Sequence, residues 1–184
     1  MRSLLLPLAL VPLMALAQTP GKSIQWLSIE EAQARTKKAP RPLFVDVYTN
    51  WCGPCKMLDR NTFSDPKLAE YVNKHFYPVK FNAEGGDPVV WKGETLANPD
   101  FNPANTSGRN GTHQLTYHIA NVNGRIAYPT IVYIDSDLNV LAPVQGVMSP
   151  QQMEPILAYF GEGHYKTQDY QTFLNAFKSR WGGQ

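Results

Sequence analysis

Two cysteines occur in the chain, three residues apart in the run Trp51, Cys52, Gly53, Pro54, Cys55. The flanks of this run limit what the chain can fold into. Before it, Leu43, Phe44, Val45, Asp46, Val47 and Tyr48 form a short β-branched and aromatic stretch introduced by Pro42, which reads as a strand buried on both faces. After it, Lys56, Met57, Leu58, Asp59 and Arg60 are good helix formers, and Pro54 is tolerated in a first helical turn. The cysteine motif therefore sits at a strand-to-helix junction, and Asp46 is the charged residue of the strand that leads into it.

That position has chemical consequences. The free amides and the dipole at the start of a helix favour a negative sulfur. Cys52 is therefore expected to have its thiol pKa lowered from about 8.5 into the range of about 3.5 to 7.5, with Lys56 acting in the same direction. Cys55 follows one turn later on the same face, within reach of a disulfide. Such a pair permits exchange: the Cys52 thiolate attacks a disulfide, and Cys55 then attacks the mixed disulfide and releases the product. Resolution needs a group to take the Cys55 proton. Asp46, stranded in an apolar strand, is expected to have a raised pKa and to serve there. The scheme also requires Cys52 to be reachable from solvent. A passive staple is the alternative reading of the pair, but so short a loop stabilises little.

Elsewhere helices alternate with strands. Ser28 and Glu31 have capping-box spacing and predict a helix that stops before Pro40. Asp65 and Pro66 open another, with Leu68, Tyr71, Val72 and His75 on one face, followed by a strand over 76–81. Residues 82–112 change character, since 13 of these 31 positions are Gly, Pro or Asn, and they read as an insertion holding a small hairpin around Lys92 and Gly93. A helix over 112–121, strands over 131–135 and 140–147, a helix capped by Ser149 and Gln152, and a last helix from about Thr167 complete the pattern. One domain over 18–184 is expected, with a helical extension over 164–184. Strands 43–48 and 76–81, joined by a helix, should run parallel, so the insertion leaves the same sheet edge as Cys52. Either the insertion borders the site and restricts which disulfides reach Cys52, with Trp91 and Phe101 as its expected contacts, or it is a solvated loop packed on itself. His113 and His118 fall on different helix faces and read as ordinary helix residues, not metal ligands.

Composition narrows the function. With 184 residues, 43% hydrophobic and 17% charged, the chain has material for a core, and a net charge of +2 argues against nucleic acid or an anionic membrane as partner. Two cysteines are too few for a four-thiolate zinc site or a multi-disulfide framework. Residues 1–17 begin with Met1, Arg2 and Ser3, continue apolar apart from Pro7 and Pro12, and end in Ala15, Leu16 and Ala17. This reads as a secretory signal cleaved near Ala17, too short for the roughly 20 residues of a membrane span. The expected location is secreted or periplasmic, where disulfides persist.

The stretch from Val45 to Lys56, with an acid six places before Cys52, resembles the active-site strand and helix start of the thioredoxin family. Tyr128, Pro129 and Thr130 before a β-branched strand are similar to that family's cis-proline loop, and Gly146 falls where the family has a glycine in its last strand. Asn61 to Pro66 is similar to secreted thioredoxin-like domains, including the C-terminal domain of the bacterial transmembrane reductase DsbD. The likeness runs from about residue 24 to 160, broken by the insertion.

What the resemblance implies is an α/β, thioredoxin-like three-layer sandwich: a central mixed sheet with helices on both faces. By the same resemblance Cys52 is the attacking cysteine, Cys55 the resolving one, and Asp46 the buried acid. Trp51, Gly53, Pro54, Tyr128 and Pro129 form the substrate surface, with Pro129 cis, and Lys80 pairs with the buried acid. Tyr128 departs from the isoleucine usual before that proline. The implied activity is reduction of protein disulfides by a monomer whose redox group is the Cys52–Cys55 pair itself. A Gly-Pro pair between the cysteines resembles thioredoxin, with a potential of about −270 mV. Lacking a flavin or nicotinamide fingerprint, an exported reductase needs a membrane electron donor. An oxidase or isomerase on the same fold, and a binding module with a structural disulfide, are the alternatives.

Overall fold

The computed structural model describes residues 23–182; the expected signal segment lies outside the described residues. Helix α1 (Ile29–Lys38) starts at Ser28, whose hydroxyl accepts from the Glu31 N–H while Glu31 reaches back to the Ser28 N–H. Strand β1 (Leu43–Tyr48) follows, then α2 (Gly53–Leu58), which runs on as a π-type turn over Asp59–Phe63. Helix α3 (Pro66–His75) is capped by Asp65, and β2 (Tyr77–Asn82) comes next. The insertion holds a hairpin of β3 (Val89–Trp91) and β4 (Glu94–Leu96) and leads to α4 (Gln114–Ile119). Strands β5 (Thr130–Ile134) and β6 (Val140–Gln145), α5 (Pro150–Gly161) and α6 (Tyr170–Ala176) complete the chain.

The main sheet has the order β2-β1-β5-β6. β1 and β2 are parallel, whereas β1–β5 and β5–β6 are antiparallel, so the sheet is mixed. Alternation along β1 divides the core in two. Phe44 faces α2, α3 and α5 in a cluster with Leu58, Phe63, Leu68, Phe76, Tyr133 and Leu157. Leu43, Val45 and Val47 face the opposite layer, with Ile29, Trp91, Leu96, Leu115 and Ile119. This is the three-layer α/β sandwich expected from the sequence, with β1 inside the sheet and its carboxyl end delivering the cysteine motif.

The differences are local. Phe76 caps α3 instead of opening β2. α4 is shorter than expected because His113 is its N-cap, its Nδ1 accepting from the Leu115 N–H at 3.1 Å. β6 stops at Gln145 because Gly146 turns to φ +105°, a conformation that favours glycine. The last helix starts at Tyr170, where Asp169 supplies a better cap than Thr167: its Oδ1 accepts from the Thr172 N–H at 3.0 Å. That helix buries Phe173 but leaves Leu174 exposed. Beyond it the chain is tied down by Glu154, buried in α5, which accepts from the Ser179 hydroxyl and the Arg180 and Trp181 N–H groups.

Candidate active site

Cys52 is the N-cap of α2, and its sulfur accepts from the Cys55 N–H at 3.1 Å. The two cysteines are joined by a disulfide, with their Cα atoms 5.3 Å apart. Gly53 and Pro54 occupy the first two helical positions, where neither a missing side chain nor a missing N–H disrupts the helix. Both cysteines are buried, Cys52 keeping 2% of its surface, while Trp51, Gly53 and Pro54 are exposed. The sulfur thus lies at the floor of a surface formed by its chain neighbours, and in the disulfide state it is far less open than the sequence reading requires. Lys56 is exposed and forms no ion pair among the described residues. Its backbone N–H bonds to the Cys52 carbonyl.

Behind α2, Asp46 is 2% exposed on the same face of β1 as Phe44. Its Oδ2 lies 3.1 Å from Lys80 Nζ, and its Oδ1 has no hydrogen-bond partner among the described residues. Burial pushes the carboxyl pKa up, the Lys80 charge and hydrogen bond pull it back, and Asp59 adds an upward push; the result is about 6. Lys80 also donates to Asp59 Oδ1, and its ammonium faces the rings of Trp26, Tyr48 and Phe63 at 5.1 to 5.6 Å from their centroids. Burial alone lowers the Lys80 pKa, but the two carboxylates outweigh it and the net shift is upward. A buried carboxyl near pH 6 can give and take a proton at physiological pH.

Pro129 follows a cis peptide bond after Tyr128, is buried, and its carbonyl accepts from the Gly146 N–H at 2.9 Å. Trp51 packs edge-on against Tyr128 with ring centroids 6.0 Å apart. Its indole N–H donates to Glu84 Oε2 at 2.7 Å. The Tyr128 hydroxyl is pushed up to about 12, chiefly by burial, with the Glu84 charge adding to it.

The insertion reaches this surface differently from the expectation. Trp91 is not a border residue: it is 6% exposed and packs into the core with Leu96 and Leu115, because β3 turns it inward against α1 and α4. Phe101 is exposed and lines a cleft of about 510 Å³ together with Trp51, Glu84 and Asp87. Sequence reasoning missed Asp59, Glu84 and Arg109. For Asp59 a signal existed, since it stands four residues after Cys55, one helical turn on. Glu84 and Arg109 left none, as their neighbours are distant in sequence. His118 is exposed, and among the described residues no group of three His, Cys, Asp or Glu side chains is placed to hold a metal ion.

A disulfide closed across the first turn of a helix, at the carboxyl end of an inner strand of a mixed sheet, defines the class of thioredoxin-fold proteins. The chain belongs to the thioredoxin-like domain family, whose profile matches residues 29–161. It is similar to the thiol:disulfide interchange protein DsbD of Pectobacterium atrosepticum, 29% identical over 85 residues that make up 45% of this chain and 15% of that protein. The same protein of Vibrio vulnificus is 37% identical over 62 residues, 32% of this chain and 10% of that one. The chain thus spans only a small part of the length of these relatives. Among solved structures, a candidate disulphide-isomerase from Bacteroides thetaiotaomicron is 28% identical with a TM-score of 0.51, covering 83% of this chain and 100% of that one. A thioredoxin from Thermus thermophilus shares the fold, at 16% identity and a TM-score of 0.51 over 80% of this chain and 99% of that one.

Proposed function

We propose that the protein is an exported reductase of protein disulfides working through Cys52 and Cys55. In the first step the Cys52 thiolate attacks one sulfur of a substrate disulfide, forming a mixed disulfide and releasing the other substrate sulfur as a thiolate. In the second, Asp46 takes the Cys55 proton. The Cys55 thiolate then attacks Cys52 sulfur, the Cys52–Cys55 disulfide forms, and the substrate leaves with its second thiolate. Two electrons pass from protein to substrate, and the redox group is the cysteine pair itself. The observation that carries this reading is the disulfide at the helix start with Asp46, pKa about 6, buried behind it.

Trp51, Gly53, Pro54 and Tyr128 form the surface on which the substrate segment lies, with the buried Pro129 setting the course of the chain behind Tyr128. Lys80 holds the Asp46 carboxylate, and Lys56 adds positive charge to the helix start. The protein acts as a monomer. Electrons come from a membrane dithiol donor, a reading supported by the likeness to DsbD and by the apolar residues 4–17, which direct export.

Redox titration against glutathione tests the direction. A potential near about −270 mV supports a reductase, and one near about −120 mV overturns it in favour of an oxidase. The likeness to a candidate disulphide-isomerase favours a second reading, isomerisation. Faster reactivation of a scrambled disulfide protein than reduction of insulin would select it.

A further inference from the structure

Between Trp51 and Tyr128 runs a groove of about 420 Å³, lined also by Glu84, Arg109, Thr112 and Ala127. Its two aromatic walls are the residues that immediately precede Cys52 and Pro129, so the groove opens beside the dithiol. Two charged side chains line it, and they differ in what they have left to offer. Glu84 is 8% exposed, and its Oε2 is occupied by the Trp51 indole N–H at 2.7 Å and the Asn110 N–H at 3.0 Å. Arg109 is exposed, and among the described residues no carboxylate lies within 4.0 Å of it. The charge accessible to an approaching molecule is therefore positive.

Arg109 is held where it stands. Its guanidinium carbon lies 5.3 Å from the centre of the Trp51 ring. A guanidinium that rests on an aromatic face keeps its N–H edge free for two parallel bonds to a carboxylate. Asparagines fix the backbone beneath it: Asn105 Nδ2 donates to the Arg109 carbonyl at 2.6 Å, and Asn98 Nδ2 donates to the Asn110 carbonyl at 3.0 Å. Next along the chain, a Cβ on Gly111 would meet Asn98 Oδ1 at 2.5 Å, so only glycine lets the segment sit this close. On the other side of Trp51 the cleft carries the exposed Asp87 and no cationic residue, which disfavours a carboxylate there and confines the preference to the Tyr128 side.

We propose that Arg109 is a specificity-determining residue that selects protein disulfides carrying an acidic side chain beside the reacting half-cystine. The inference rests on the exchange reaction proposed above and assigns to the insertion the task of reading charge next to the disulfide.

The test uses two disulfide-linked peptide homodimers that differ only in Glu or Gln beside the cysteine. Oxidation of the reduced protein by each is followed through tryptophan fluorescence and normalised to each peptide's rate with dithiothreitol. The wild type is expected to prefer the Glu peptide about two- to fivefold at low ionic strength, the scale of a partly exposed ion pair. The preference shrinks with added salt, falls to about one in Arg109→Gln, and is partly kept in Arg109→Lys. Equal rates in the wild type, a preference insensitive to salt, or one that survives Arg109→Gln overturns the inference alone. Exchange with neither peptide nor insulin overturns the oxidoreductase reading with it.

Discussion

Asp46 and Lys80 are register partners in the parallel pair β1–β2, and the Lys80 ammonium lies 3.1 Å from Asp46 Oδ2. Facing side chains at the same height on neighbouring strands put the cation beside the acid, yet it does not compensate for burial, and the Asp46 pKa stays near 6 against an ordinary 3.8. Between those values the folded protein holds a proton that the unfolded chain has released. Stability therefore falls as pH rises through this window, and the penalty is complete above it. Asp46→Asn is expected to stabilise the oxidised protein at pH 7 by about 3 kcal/mol, with the gain fading below about pH 4. Urea unfolding at the two pH values measures it; a loss of stability at pH 7 would contradict the raised pKa.

The same substitution should impair catalysis. Without a proton acceptor behind the cysteines, resolution of the mixed disulfide is expected to slow by about 10². In the wild type, resolution slows as pH falls through about 6, where Asp46 becomes protonated; that inflection should be absent in Asp46→Asn. Single-turnover release of a fluorescent peptide thiol across pH 5 to pH 8 reads both effects.

Lys80 lowers the Asp46 pKa by its charge and its hydrogen bond. Lys80→Met is expected to move the Asp46 titration above 6, as followed by the carboxyl carbon shift in NMR spectra. An unchanged midpoint would mean that Lys80 does not set it.

Cys52 keeps little exposure in the disulfide state, so its reactivity depends on what reduction opens. The reduced protein should be alkylated by iodoacetamide at one site, Cys52, with a midpoint below the ordinary thiol value of about 8.5. Cys52→Ser should abolish insulin reduction, while Cys55→Ser should accumulate mixed disulfides that mass spectrometry assigns to position 52. Alkylation of Cys55 first would reverse the two roles.

Phe44 packs edge-on to Phe63, Phe76 and Tyr133 at centroid separations of 5.8 to 6.0 Å, on the sheet face that carries Asp46. Phe44→Ala is expected to cost about 3 to 5 kcal/mol in denaturant unfolding, through lost transfer energy and the cavity left behind.

Much of the scaffold was legible in the sequence because its signals act within one turn or one strand. Ser28, Asp65 and Ser149 mark helix starts because each side chain bonds N–H groups two or three residues on. The apolar run of β1 and the helix formers after Cys55 placed the motif at a strand-to-helix junction for the same reason. Trp91 was misread because an aromatic residue in a glycine-rich, proline-rich stretch carries no local mark of whether it faces inward.

Sequence alone determined the cysteine pair, the acid six places before it, and the alternation of strands and helices that makes this fold. Tertiary structure decided which distant side chains meet there: Lys80 reaching both Asp46 and Asp59, Glu84 holding Trp51, and Arg109 resting on that tryptophan. The division follows from range. Capping and periodicity are short-range properties of the backbone, whereas ion pairs and grooves depend on strand register and on how an insertion folds back, which no local pattern encodes.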